Sequence, residues 1–316
     1  MRRTTTNQDT LKYFDLLEAK KAYAEGKNVT ELLRNQKNAA ANTSEIIEAA
    51  YDLQAGAYIA AAQNNPNLIR YCNEIAAILD RHVIQTGSLL DIGTGELTTL
   101  SHMIAALNVK PKSIYAFDIS WSRVHKGIAY AEKNMGSDYQ KLTSFVGDIN
   151  EIPLLDKSVN VTTSSHALEP NGGRLKQLMA ELFRVTIDKL VLFEPCYEIN
   201  TDAGKERMDR LGYIKNLDGV IAELGGKIIE RITIRNIVNP LNPTACFVIL
   251  PPPSVSQKPV KDASLEGIFS VPGAHYPLKK VDDFFFSQET GLCFPVLKNV
   301  PVLKTQTAIL ASALCD

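Results

Sequence analysis

Three acidic residues of this chain recur at one kind of place. Asp91 closes the apolar pair Leu89-Leu90, Asp118 closes Ser113-Ile114-Tyr115-Ala116-Phe117, and Asp148 follows Leu142-Thr143-Ser144-Phe145-Val146-Gly147. A short apolar run that ends on a carboxylate reads as a buried strand delivering an acid to the rim of a parallel sheet, where open α/β folds bind ligands. Such an acid can accept hydrogen bonds from both hydroxyls of a ribose, and the acid of the next strand is placed to receive an adenine amino group. Directly after Asp91 and Ile92 come Gly93, Thr94 and Gly95. Two glycines one residue apart let backbone pass close to a ligand where a side chain would collide. Together these residues predict a site for an adenosine-containing cofactor. A dinucleotide fingerprint needs a third glycine three positions beyond the second; that position is Thr98, which disfavours NAD.

A second reactive group follows the β-branched run Val159-Asn160-Val161-Thr162-Thr163-Ser164-Ser165. His166 is the candidate general base, because an imidazole titrates near neutral pH. Glu169, three residues on, orients His166 or binds a polar acceptor. Asn171, Asn239 and Asn242 offer neutral polar contacts, although asparagine is equally at home in turns. A histidine that merely hydrogen-bonds its own loop is an equally good reading of His166.

The elements needed to position these residues can be read between them. Helices are expected at 97–107, 121–134, 174–186 and 204–224, with a fifth strand at 189–195 and two more around 227–238 and 245–250, joined by a rigid turn at 239–244. This order predicts an α/β fold, a doubly wound seven-stranded sheet in residues 86–250 whose last two strands form an antiparallel hairpin. Residues 1–85 are expected to form an N-terminal helical cap, with Leu11, Phe14 and Leu17, then Leu32 and Leu33, as apolar stripes. Tyr51, Gln54 and Tyr58 stand at i, i+3 and i+7, one helical face, which either packs the cap on the main domain or closes over the cofactor and excludes water. Pro251-Pro252-Pro253 opens a linker at 251–261. Residues 262–316 read as a small C-terminal β module with strands at 284–287 and 294–303.

With 34 basic and 35 acidic residues in 316, the chain offers no electrostatic reason to bind nucleic acid. No apolar run approaches the roughly 20 residues of a membrane span, and the first residues lack the apolar core of a signal peptide, so a soluble cytoplasmic protein is expected. The five cysteines lack metal-site spacing and read as reduced and mostly buried.

Through LLDIGTGELTTL, YAFDIS, FVGDINEIPL and SHALEP, residues 86–250 resemble the class I S-adenosylmethionine (SAM)-dependent methyltransferases, in particular the type 11 group. The resemblance implies a Rossmann-like sheet with SAM at its switch point. It assigns Asp91, Gly93, Thr94 and Gly95 to the methionine side, Asp118 with Ile119 to the ribose, and Asp148 with Ile149 to the adenine, and Ser165 completes the set. Tyr51 and Tyr58 match a Tyr-Asp-x-x-Ala-x-x-Tyr-like element that the group often carries ahead of the first strand. The group's third glycine is Leu97 here. The tail, 269–303, is similar to a zinc-ribbon-derived family that binds and activates methyltransferases. Val271-Pro272 stands where the ribbon has Cys-Pro, and Cys293 with His275 supplies too few ligands, so no metal is expected. The expectation is methyl transfer from SAM to a hydroxyl or amine of a small polar acceptor, such as a sugar or secondary-metabolite intermediate, with a second copy or another protein meeting the tail. A non-catalytic SAM-fold subunit is the alternative, and an NAD-linked oxidoreductase a third.

Overall fold

The computed structural model describes residues 15–63, 65–85, 87–237, 239–253 and 267–314. Apolar and β-branched runs form the expected parallel strands: β1 (Ser88–Ile92), β2 (Ser113–Asp118), β3 (Leu142–Gly147), β4 (Val159–Ser165) and β5 (Thr186–Pro195). After them β6 (Lys227–Thr233) and β7 (Thr244–Leu250) form the antiparallel hairpin, with β7 inserted between β5 and β6. Across the sheet the order is β6-β7-β5-β4-β1-β2-β3. The chain therefore leaves β3 at one side and resumes at β4 on the other side of β1. That reversal opens a crevice above the carboxyl ends of β1 and β4.

Ahead of the sheet lie α1 (Leu16–Ala24), α2 (Val29–Gln36), α3 (Ser44–Asp52), α4 (Ala57–Ala62) and α5 (Pro66–Leu79). Within the sheet's connections run α6 (Thr98–Ala106), α7 (Trp121–Met135), α8 (Leu175–Val185), α9 (Asp202–Leu211) and α10 (Leu217–Glu223). One face of the sheet packs Leu178, Leu182 and Ile221 of α8 and α10 in one apolar cluster. The other face packs Ile75, Leu79, Leu100 and Ile104 of α5 and α6. With both faces covered, β1, β2 and the second half of β5 are continuous apolar runs, and β4 buries small hydroxyl-bearing residues instead.

Several expectations about element limits need correcting. The helix expected at 204–224 is two, because Gly212 takes a left-handed φ of +69° and ends α9, and Asn216 re-enters at +55°. Tyr51 and Tyr58 do not share a helix: α3 stops at Asp52 and Gly56, at φ +103°, starts α4. Leu17 is 77% exposed, and α1 buries Ala19 and Ala22 instead. Leu11, Phe14, Val238, Cys315 and most of the linker lie outside the described residues.

The strand expected at 294–303 is a hairpin, β10 (Leu292–Leu297) and β11 (Val300–Leu303). Lys298 and Asn299, at φ +49° and +64°, form its two-residue turn, the geometry that matches the twist of paired strands. β8 (Lys279–Val281) and β9 (Phe284–Ser287) continue the antiparallel pairing, and β12 (Ile309–Leu310) adds to β10. β11 pairs in parallel with β3, Val302 opposite Val146, so the tail extends the central sheet. An aromatic row crosses the seam: Phe117 stacks on Phe145, Phe145 meets Phe269 edge-on, and Phe269 meets Phe285, all at 5.1–5.2 Å. Among the described residues no helix is long and apolar enough to cross a membrane, and no group of three His, Cys, Asp or Glu side chains is placed to hold a metal.

Candidate functional site

The turn after β1 is shaped by close approach. Gly93 stands at φ +59°, and a Cβ on it would sit 2.5 Å from the Cβ of Ala167 in the loop after β4. Only glycine fits there, which draws the two loops together at the crevice. Leu97 holds a left-handed φ of +58° while fully buried. The strain of about 1–2 kcal/mol is offset by burial of its side chain beside Leu100 and Ile104, about 1.5–3 kcal/mol. A non-glycine residue at this position is thus compatible with an intact turn.

The turn fastens the acid of β2. Asp118 accepts from the Gly95 N–H through Oδ2 and from the Ser120 N–H through Oδ1, both at 2.9 Å. Each carboxylate oxygen keeps a further lone-pair site for a ligand. The Thr94 N–H donates to the Phe117 carbonyl at 2.9 Å, so Thr94 and Gly95 hold the turn without lining the cavity. Asp91 is buried beneath it, and burial pushes its carboxyl up to about 7. Beyond β3, Asp148 is fixed by the Asn150 backbone and side-chain N–H groups at 2.8 and 2.7 Å.

His166 lies just past β4 in a left-handed conformation, φ +59°, which is strain at a candidate site. Its Nδ1 is 3.1 Å from Glu169 Oε2 and its Nε2 is 2.9 Å from Thr244 Oγ1. An ionised Glu169 can only accept, so Nδ1–H donates to it and Nε2 of the neutral ring accepts from Thr244. The Asn242 amide also donates to Glu169 Oε2, at 2.9 Å. Burial disfavours the charged ring, but Glu169 and then Glu194 outweigh it and hold the His166 pKa above its ordinary value. Under the loop, fully buried Glu194 accepts from the Ser164 hydroxyl at 2.7 Å and the Ala167 and Leu168 N–H groups at 3.1 and 3.2 Å. Its burial likewise pushes its carboxyl up to about 7.

These pieces converge on one cavity with roughly 760 Å³ of empty space, open mouth included. Of the residues expected from sequence, Tyr51, Tyr58, Gly93, Asp118, Ile119, Asp148, Ile149, Ser165, His166 and Glu169 line it. Asp91, Thr94 and Gly95 support it from below. Ser165 is held by the Tyr71 hydroxyl at 2.7 Å.

Arg123 is the principal residue that sequence reading missed. It is buried in the cavity wall, 3.7 Å from Asp118, with its guanidinium 5.1 and 4.6 Å from the rings of Tyr51 and Tyr58. The signal available was its place three residues after the helix-capping Ser120, one turn into α7 and above the end of β2. Glu96 was missed too. Almost wholly buried, it accepts from the N–H groups of Gly56 and Ile59 at 2.9 Å and of Tyr58 at 3.4 Å, so a side chain from the glycine turn caps α4. Glu194 could have been found, because it ends its strand on an acid as the other three do.

No protein-family model and no curated protein matches the sequence. Among solved structures, the chain is similar to magnesium protoporphyrin IX methyltransferase from Synechocystis with bound SAH, at 12% identity over 58% of this chain and 83% of that one, with a TM-score of 0.46. It is similar to the methyltransferase domain of bacterial CtHen1-C, at 18% identity over 60% and 100% of the two chains, TM-score 0.45. A third similar structure is the Haloferax volcanii complex between the Trm112 methyltransferase activator and a provisionally assigned methyltransferase, at 15% identity over 64% and 97%, TM-score 0.49. At these identities the likeness is one of fold.

Proposed function

We propose that this chain transfers a methyl group from SAM to a hydroxyl or amine of a small polar acceptor. The observation that carries the reading is the single cavity at the carboxyl ends of β1 to β4, which joins two strand-end acids, a glycine turn and a histidine–carboxylate pair. The residues present suit the cofactor. Asp118 has lone-pair sites left for the ribose, Asp148 lines the same cavity as the acceptor proposed for the adenine amino group, and Phe117, Ile119 and Ile149 supply apolar wall. Gly93 lines the same cavity, beside which the methionine portion is proposed to lie. When bound, the sulfonium supplies an already activated methyl group, so positioning of the acceptor carries much of the catalysis.

The acceptor's proton goes to the His166–Glu169 pair. Glu169 fixes the tautomer and raises the basicity of His166, and the proton goes to its Nε2 once the Thr244 hydroxyl turns from that nitrogen to the Asn242 carbonyl, 3.3 Å away. Because the pair raises the His166 pKa, the deprotonated form that activity requires is reached at a higher pH than for an ordinary histidine. Two measurements test the reading. SAM and its demethylated product SAH should raise the melting temperature by mass action, and NAD should not. In His166→Ala, turnover should fall roughly 10²–10⁴-fold with SAH affinity near wild type. Stabilisation by NAD and none by SAM or SAH would overturn the assignment.

A further inference from the structure

We propose that a second chamber, which has the wall residues Tyr51, Tyr58, Glu169 and Pro170 in common with the first cavity, is the acceptor subsite, and that it takes a small hydroxylated anion whose negative group is bound by Arg207. This rests on the methyltransferase reading above. The four wall residues line both cavities, so Glu169 faces the cofactor cavity on one side and the second chamber on the other.

Among its described lining residues the chamber holds a cation that no carboxylate contacts. Its ionisable lining is Lys27, Glu169 and Arg207, with tyrosines 23, 51, 58 and 213 around them. Lys27 is occupied by Glu25 at 2.7 Å. Arg207 has no carboxylate partner among the described residues; its Nη1 donates to Asn242 Oδ1 at 3.3 Å and its guanidinium lies 5.4 Å from the Tyr213 ring centroid. A stacked guanidinium with donors to spare and no counter-ion suits a carboxylate or phosphate, which it can grip with two parallel hydrogen bonds. The first turn of α2 opens into the same space at Val29 and Thr30, adding the positive end of a helix.

The size of the acceptor follows from Asn242. Its amide donates to Glu169 with one end and accepts from Arg207 with the other, so the proton-accepting pair and the anion-binding group stand one carboxamide apart. An acceptor that spans them carries its reacting hydroxyl only a few bonds from its negative charge. A hydroxy acid has that shape, and a neutral sugar lacks the charge.

The test is calorimetric titration of the full chain, loaded with SAH, with the three hydroxybenzoates, their neutral hydroxybenzamide counterparts and glycerol 3-phosphate. At least one anion should bind tenfold or more tighter than its neutral counterpart. The benzoate and phosphate arms tell which negative group the chamber prefers. Arg207→Met should abolish the preference and Arg207→Lys retain part of it, while both variants keep SAH affinity within about twofold. Equal binding of acids and amides, a preference that survives in Arg207→Met, or no binding of any anion to a chain that holds SAH would overturn the subsite. Failure of SAH itself to bind would instead remove the methyltransferase reading, and the subsite with it.

Discussion

At the scale of single residues, the acids of this site do two jobs at once. Asp118 holds the Gly95 and Ser120 N–H groups and is also the proposed ribose ligand. Asp118→Ala should therefore weaken SAH by roughly 10–100-fold and also destabilise the chain, since each buried donor left unpaired costs about 1–3 kcal/mol. Calorimetry beside thermal melts separates the two effects, and unchanged SAH affinity in folded Asp118→Ala would reduce Asp118 to a turn residue. Glu194 offers a cleaner electrostatic test. Its carboxyl is raised by burial from 4.5 to about 7, so the fold favours the protonated form. That contribution is fully present below the unfolded pKa and is lost as the pH rises through about 7. Glu194→Gln cannot ionise, and its carbonyl can still accept from Ser164, Ala167 and Leu168. Its melting temperature relative to wild type should rise between about pH 5 and pH 8. A constant difference across that range would show that Glu194 is not the group burial perturbs. Asp91, raised from 3.8 to about 7, works in the same direction and remains in the variant, so part of the wild-type pH dependence should persist.

At the scale of elements, strands were legible where an apolar run ended on an acid, because burial on both sheet faces and delivery of a charge to the rim leave a mark in adjacent residues. Breaks were less legible. The polar pair Lys298-Asn299 interrupts an apolar run, and two positive φ values there split one expected strand into β10 and β11. The Tyr51 to Tyr58 spacing fits one helical face, yet Gly56 divides it, and both tyrosines reach the cavity through Arg123 and not through periodicity. Arg123 and Glu96 were hidden for the same reason: each acts on a segment about 40 to 70 residues away in sequence. Glu96 makes the strongest element-scale prediction. α4 has no cap of its own, since its first residue follows Gly56. Glu96→Ala would leave three helix-terminal N–H groups without this acceptor and should destabilise the chain by about 1–3 kcal/mol. SAH affinity should fall with it, because Tyr58 moves with α4. Hydrogen exchange confined to 56–62 would confirm the route; exchange unchanged there would show that α4 is held by its packing alone.

At the scale of the whole molecule, the C-terminal strands close an edge that the central sheet would otherwise leave bare. Cutting the chain at Pro253 removes β11 from β3, Phe269 from the face of Phe145 and Lys304 from Glu48 on α3. The shortened chain should melt at lower temperature and self-associate, because an unpaired hydrophobic edge strand is a template for other strands. A monomeric fragment of unchanged stability would refute this. The pairing of β3 with β11 also has a consequence in time. β3 ends at Gly147 and its partner begins at Val300, so a ribosome making roughly 5–20 residues per second completes β3 on the order of ten seconds before the strand that covers it exists. Once β7 ends at Leu250, about fifty residues before Val300, β1 to β7 can assemble while one flank accepts any extended segment in reach. The nascent chain thus passes through a stage in which the proposed cofactor site can form while the flank is still open to other strands.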